Sequence, residues 1–250
     1  MQGMSVKAAI AESAPVSYQA PQVGLGTRLF RLVAGLVLTL LFFLTAVTLF
    51  QRVADREFLW GFYRSPEFLW FSVGGTFIGM WFLSGIWRRP LLLAYVLGHE
   101  MTHAIFVYCF LGWVSGFRFG PTGGYILTNR SNIVIALSPY CFPFWSVLGI
   151  GSFVVVDRFL PIPHREAMLL VLVGMTWTFH IIWTLWMIPR DQPDLQENGT
   201  LFSLTVIFLA NTALLAAMFI MASGSLTWRM FFYNWANNLL HFAEKLESWI

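Results

Sequence analysis

Charge is scarce in this chain: 15 Lys plus Arg and 12 Asp plus Glu make up 11% of 250 residues, less than half the roughly 25% of an ordinary soluble domain. That scarcity excludes a water-soluble enzyme. Cysteine is nearly absent too, with Cys109 and Cys141 alone, each inside an apolar segment. Two such residues build neither a disulfide framework nor a thiolate zinc knuckle, and they read as small buried hydrophobes. Five histidines in total are too few for the multiple histidine boxes of iron oxidases and desaturases. No basic tract longer than Arg88-Arg89 occurs, so the sequence pI near 9.1 rests on a handful of charges and does not signal nucleic acid. What the chain has instead is apolar bulk: 58% hydrophobic residues, 25 Phe and 12 Trp, with a mean hydropathy of +0.68. A lipid-facing surface displays such side chains without penalty, and a water-facing one does not.

The apolar residues fall into runs of membrane length. Residues 1–31 are mixed and carry Pro15, Pro21, Gly24 and Gly26, which predicts a flexible or surface segment. The stretch 32–50 is uncharged and just long enough to cross about 30 Å of hydrocarbon at 1.5 Å per residue. It starts too late for a cleaved signal peptide and lacks a small-residue cleavage pattern. Further spans are expected over 68–87, 91–114, 133–156, 167–189 and 200–221. Pro139 and Pro143 interrupt the fourth, where each frees a carbonyl and bends or breaks the helix. Between the third and fourth, residues 112–132 are dense in glycine and aromatics and alternate around Phe117, Phe119, Tyr125 and Leu127. This suits a short hairpin or re-entrant loop. In 226–250, Phe231, Trp235, Leu239, Phe242, Leu246 and Trp249 recur at helical steps, with Asn234, Asn238, His241, Lys245 and Ser248 largely opposite. That pattern predicts an amphipathic helix in the interface.

The expectation is therefore an all-α polytopic membrane protein of about six transmembrane helices with a short β or re-entrant segment. Residues 32–225 form one membrane domain, with no internal repeat of the kind transporters show. Lys and Arg favour the side holding both termini by nine to six, which leans toward cytoplasmic termini.

The chemistry concentrates in His99-Glu100-Met101-Thr102-His103, a His-Glu-x-x-His on an expected helix. The i,i+4 spacing sets both imidazoles on one face about 6 Å of rise apart, where each can give a nitrogen to one zinc. Glu100 beside them can take a proton from water at the metal. At this composition chance would supply roughly 0.003 such motifs in the chain, and three ionisable groups in one turn of a membrane helix demand a partner or a cavity. A catalytic zinc needs a third protein ligand. The candidates are His180, a lone imidazole near the middle of the fifth span, and Asp191 or Asp194 in the loop after it.

The motif followed at once by FRFGPTGGYIL resembles the site-2 protease family of intramembrane zinc metallopeptidases. In that family a similar GGY segment follows the motif helix and forms a membrane-associated β structure. The match covers roughly residues 91–210. The resemblance implies His99 and His103 as zinc ligands, Glu100 as general base and one Zn(2+) per chain. The family's third ligand is an aspartate at the entry to a later helix, and by order and separation that role falls on Asp194 in QPDLQENG, with His180 the alternative. Two departures stand out: Leu195 rather than Gly follows Asp194, and two spans rather than one separate the motifs. The family's catalytic helix usually ends on the cytoplasmic side, against the charge count.

The expected activity is hydrolysis of a peptide bond in or near a transmembrane helix of a membrane-protein substrate. Asn129, Asn132 and Asn211 are the candidate oxyanion or substrate contacts, and the strand edge at 117–127 could receive an unwound substrate. The alternative is an inactive or non-proteolytic scaffold or subunit that keeps the fold and binds a partner helix; nucleic acid is not expected. The expected setting is a multi-pass position in a bacterial inner (cytoplasmic) membrane.

Overall fold

The computed structural model describes residues 24–190 and 192–248, so most of the expected N-terminal segment, together with Asp191 and Trp249, lies outside the described residues. The first helix, α1 (Leu25–Val53), begins ahead of the apolar run and carries Arg28 and Arg31 on its opening turns. A short helix α2 (Arg56–Gly61), capped by Asp55, and one 3₁₀ turn lead to α3 (Pro66–Ser84). Helix α3 starts where Ser65 accepts from the Phe68 N–H with Pro66 at the first helical position, and it ends at Gly85, whose φ of 68° an L side chain resists. Then follow α4 (Arg88–Cys109), the strands β1 (Val114–Gly120) and β2 (Gly123–Thr128), α5 (Ile133–Cys141), α6 (Phe144–Phe159), α7 (Arg165–Met187), α8 (Pro193–Asn198), α9 (Thr200–Ser223) and α10 (Trp228–Glu247).

Among the described residues, four helices are long and apolar enough to cross a bilayer: α1, α4, α7 and α9. A fifth span exists if α5 and α6, bent by 66° at their junction, count as one. The six spans read from the sequence are thus not all reached by length and composition. Helix α3, the second expected span, is not among them; its 19 residues open on Pro66 and the charged Glu67. The break between α5 and α6 lies at Phe142-Pro143, where the second proline has no N–H to continue the ladder.

Two helix pairs pack tightly. Helices α3 and α7 touch backbone to backbone: a Cβ at Gly74 would collide with the Val171 carbonyl, and one at Gly174 with the Phe71 carbonyl. Small residues permit this approach, which replaces the missing hydrophobic drive with van der Waals contact. In the second pair α9 lies along α1, with Gly35 against the Phe202 backbone and Thr39 Oγ1 3.2 Å from Thr205 Oγ1. Helix α10 crosses the end of α1 with Phe231, Asn234, Trp235 and Asn238 turned inward. Trp235 Nε1 donates to Thr45 Oγ1 at 3.1 Å, Asn238 Nδ2 to Thr48 Oγ1 at 2.9 Å, and Arg52 to Asn234 Oδ1 at 2.9 Å. Asn234 and Asn238, expected on the outer polar side, instead satisfy polar groups of α1, and only the second half of the helix presents its surface on all sides.

Residues 112–132 fold as the antiparallel hairpin β1–β2, paired from Val114↔Thr128 to Gly120↔Gly123 with an irregularity near Gly116. It packs against α4. Cys141 is half-buried, but Cys109 is exposed at the end of α4, contrary to the expectation of two buried side chains; both are free thiols.

Candidate metal centre

The helical register of α4 turns His99, Glu100 and His103 toward a cavity of about 510 Å³, which also meets β2, Gln192 and Asp194. His99 Nε2 and His103 Nε2 are 3.2 Å apart. Asp194 Oδ2, brought in by α8 from 95 residues further along the chain, stands 3.3 Å from the first and 3.4 Å from the second. Ligands bonded at about 2.0–2.1 Å in a tetrahedron stand about 3.3–3.4 Å from one another. The three donor atoms are spaced as the protein ligands of one tetrahedrally held divalent ion would be.

The rings are oriented for this task. His103 Nδ1 donates to the Ile135 carbonyl at 2.9 Å, so in the neutral ring Nε2 offers its lone pair. His99 Nδ1 lies 3.4 Å from the Tyr95 hydroxyl. Burial pushes the Asp194 carboxyl up, but the His103 and His99 imidazoles beside it, when they carry a proton on Nε2, outweigh it and hold the group well below the usual carboxylate range. Asp194 is an anion at neutral pH, as a metal ligand must be. A buried set of two imidazoles and one carboxylate fits a divalent ion of borderline softness.

Helix α8 is too short to hold itself, so its neighbours fix it. Arg31 Nη1 donates to the Glu197 carbonyl at 2.7 Å and Ser203 Oγ to the Leu195 carbonyl at 3.1 Å. Leu195, 3% exposed, packs with Leu137, Tyr140 and Ile207. A side chain after Asp194 thus anchors the turn through the core.

Glu100 is 6% exposed and lies directly under β2, where a Cβ at Gly124 would fall 2.6 Å from its Cγ and 2.8 Å from Oε1. Only glycine lets the strand lie this close.

No family model, curated protein or solved structure matches this chain. The resemblance drawn from the motifs therefore stands on those residues alone.

The structure gathers His99, Glu100, His103 and Asp194 at one cavity and leaves the other candidates elsewhere. His180 is buried on α7 and is not among the gathered donor atoms; its Nε2 has no hydrogen-bond partner. Asn129 Oδ1 accepts from the Trp113 N–H at 2.8 Å, closing the hairpin. Asn132 Oδ1 caps α5 through the Ile135 N–H at 2.9 Å. Asn211 Nδ2 donates to the carbonyls of Tyr140 and Ile207, each at 2.8 Å. None of the three lines the cavity of the cluster. Sequence reasoning missed Tyr95, Tyr140, Gly124 and Arg31. Tyr140 carried a signal in its position between two prolines, and Gly124 in the GGY segment.

Proposed function

We propose that the chain is an intramembrane zinc metallopeptidase of the site-2 protease type, hydrolysing a peptide bond in or near a transmembrane helix of a membrane-protein substrate. The observation that carries this reading is the triangle of His99, His103 and Asp194 donor atoms with the Glu100 carboxylate beside it in a cavity bounded by a strand edge. His99, His103 and Asp194 would hold the ion. When bound, zinc supplies Lewis acidity that makes water acidic near neutral pH and polarises a carbonyl. Glu100 accepts the proton of the attacking water and returns it to the leaving amine. The edge of β2 not paired with β1 runs along the cavity and offers main-chain partners to an unwound segment. An intact helix would keep its own amides occupied.

On this reading α3 is a further span, because it lies against the span α7 and its 19 residues extend about 28 Å at 1.5 Å per residue. With the broken pair α5–α6 the total is six, and the setting is a bacterial inner membrane.

The test is reconstitution. Full-length protein in liposomes, loaded with zinc, is expected to cut single-span peptides within or near their apolar segment, faster where Gly or Asn near the cut weakens the helix. A zinc-loaded protein that cuts no member of a broad single-span library would sink the protease and favour a scaffold that binds a partner helix.

Gly124 provides a sharper probe. Gly124→Ala inserts a methyl into the space of the Glu100 carboxylate without touching a ligand. Zinc content should stay at the wild-type level while kcat falls about 100-fold, the order of effect of a 1 Å displacement of a reacting group. Undiminished kcat in G124A would remove Glu100 from the role of base.

A further inference from the structure

We infer that Tyr140 is a positioning residue of the metal centre, holding the Asp194 carboxylate in the orientation that completes the ligand triangle, and that the break between α5 and α6 exists to place it there. The inference rests on the metal-site reading above.

Tyr140 is wholly buried. Its hydroxyl lies 3.2 Å from Asp194 Oδ2, the same oxygen that faces both imidazoles, and 3.2 Å from Gln192 Oε1. Gln192 Nε2 is committed to the Arg190 carbonyl at 2.7 Å, so the Gln192 amide turns its oxygen to the phenol and both neighbours of the hydroxyl are acceptors. One proton is available for two acceptors, and the charged one binds it more strongly. The phenol therefore donates to Asp194. The ring also packs edge-on against the His99 ring, with centroids 5.1 Å apart and planes at 83°. One side chain thus touches two of the three ligands. An Asp carboxylate turns about a broad, roughly two-fold torsion, and the bond to Oδ2 removes that freedom.

The backbone explains how Tyr140 is held. In a continuous helix the Tyr140 carbonyl would accept from the Phe144 N–H four residues on. Here that N–H bonds to the Phe142 carbonyl at 2.8 Å, because the chain breaks at Pro143. The freed carbonyl is taken by Asn211 Nδ2 of α9 at 2.8 Å. Asn211 thus holds the Tyr140 backbone while the Tyr140 hydroxyl holds the Asp194 oxygen, so Tyr140 links α9 to the cluster. This gives Asn211, a candidate substrate contact by sequence, a different task.

The variant Tyr140→Phe removes one oxygen and keeps the ring. Titrating zinc-loaded full-length protein with chelators of graded strength should show Y140F binding zinc about 10- to 100-fold more weakly than wild type, the range for a lost partner of a metal ligand. Cobalt-loaded Y140F should also change its visible d–d absorption in position or intensity, because a carboxylate free to turn alters the coordination geometry. A purely structural role would lower thermal stability and leave both readouts alone. Wild-type zinc affinity together with a wild-type cobalt spectrum in Y140F overturns the inference. If Y140F does not fold, Asn211→Ala, which leaves the phenol in place and loosens its backbone anchor, decides: a weaker zinc site and an altered spectrum support it, and unchanged values overturn it. Wild-type protein that takes up neither metal overturns the metal-site reading itself and this inference with it. Wild-type uptake with indistinguishable variants overturns the inference alone.

Discussion

Protein purified without chelator is expected to carry about one zinc per chain by elemental mass spectrometry, and His99→Ala or His103→Ala should reduce that to near zero. Each imidazole is one of three protein donors spaced 3.2–3.4 Å from the others, and a catalytic site has no protein ligand to spare. Glu100→Gln separates holding from reacting. Its side chain stays under β2 with nearly the same shape, so zinc content should persist, while turnover should fall by about 10²- to 10⁴-fold, the usual contribution of a general base. Folded wild-type protein without metal would remove the enzyme reading; metal retained in both histidine variants would move the site elsewhere.

Asp194→Asn is expected to strip zinc far more completely than His180→Ala. The substitution keeps the volume but replaces an anionic donor with a neutral amide at the corner shared by both histidines. His180 lies in α7, outside the group of donor atoms, and meets Asn211 and the Tyr140 carbonyl, so its loss should disturb the ligands only indirectly. Chelator competition on the two variants, run beside a thermal melt, reads the difference: D194N should lose most of its metal at chelator strengths that H180A tolerates, and H180A should melt earlier than wild type. The reverse order under chelator would make His180 the third ligand.

The local features of this protein were open to sequence reasoning, and the long-range ones were not. Runs of apolar residues and the His-Glu-x-x-His spacing are properties of neighbouring residues, so the membrane helices and the imidazole pair could be read directly. The glycine-aromatic alternation similarly anticipated the hairpin. Asp194 was different: by the residues alone it competed with His180 and Asp191, and only the family resemblance favoured it. Its place depends on Arg31, Ser203 and the burial of Leu195, contacts between parts of the chain that no spacing reveals. The count of six spans is not reached by length and composition alone, because α3 opens on Pro66 and Glu67 and the fourth run breaks at Pro143. Asn234 and Asn238 looked like a water-facing stripe, because periodicity shows that polar residues share a face without showing what the face meets. Tyr140 was hidden for the same reason. Its partners lie in α8 and α9, and only the prolines around it hinted at a purpose.

The glycine contact between α3 and α7 has a mechanical consequence for the cavity of the His-His-Asp cluster. With carbonyl oxygens of one helix filling the space where the other would have a methyl, parting the pair by a fraction of an ångström forfeits dispersion along the seam. The two helices therefore move as a single stiff bar, and Met187, at the end of α7, fixes one wall of the cavity to it. The opposite wall is the compliant one. It consists of a two-stranded hairpin and the six-residue helix α8, the latter held by the buried Leu195 and by Arg31 and Ser203. Widening the cavity costs least where β2 lines it, because the segment that carries Asp194 is tied into the core through Leu195 and Tyr140.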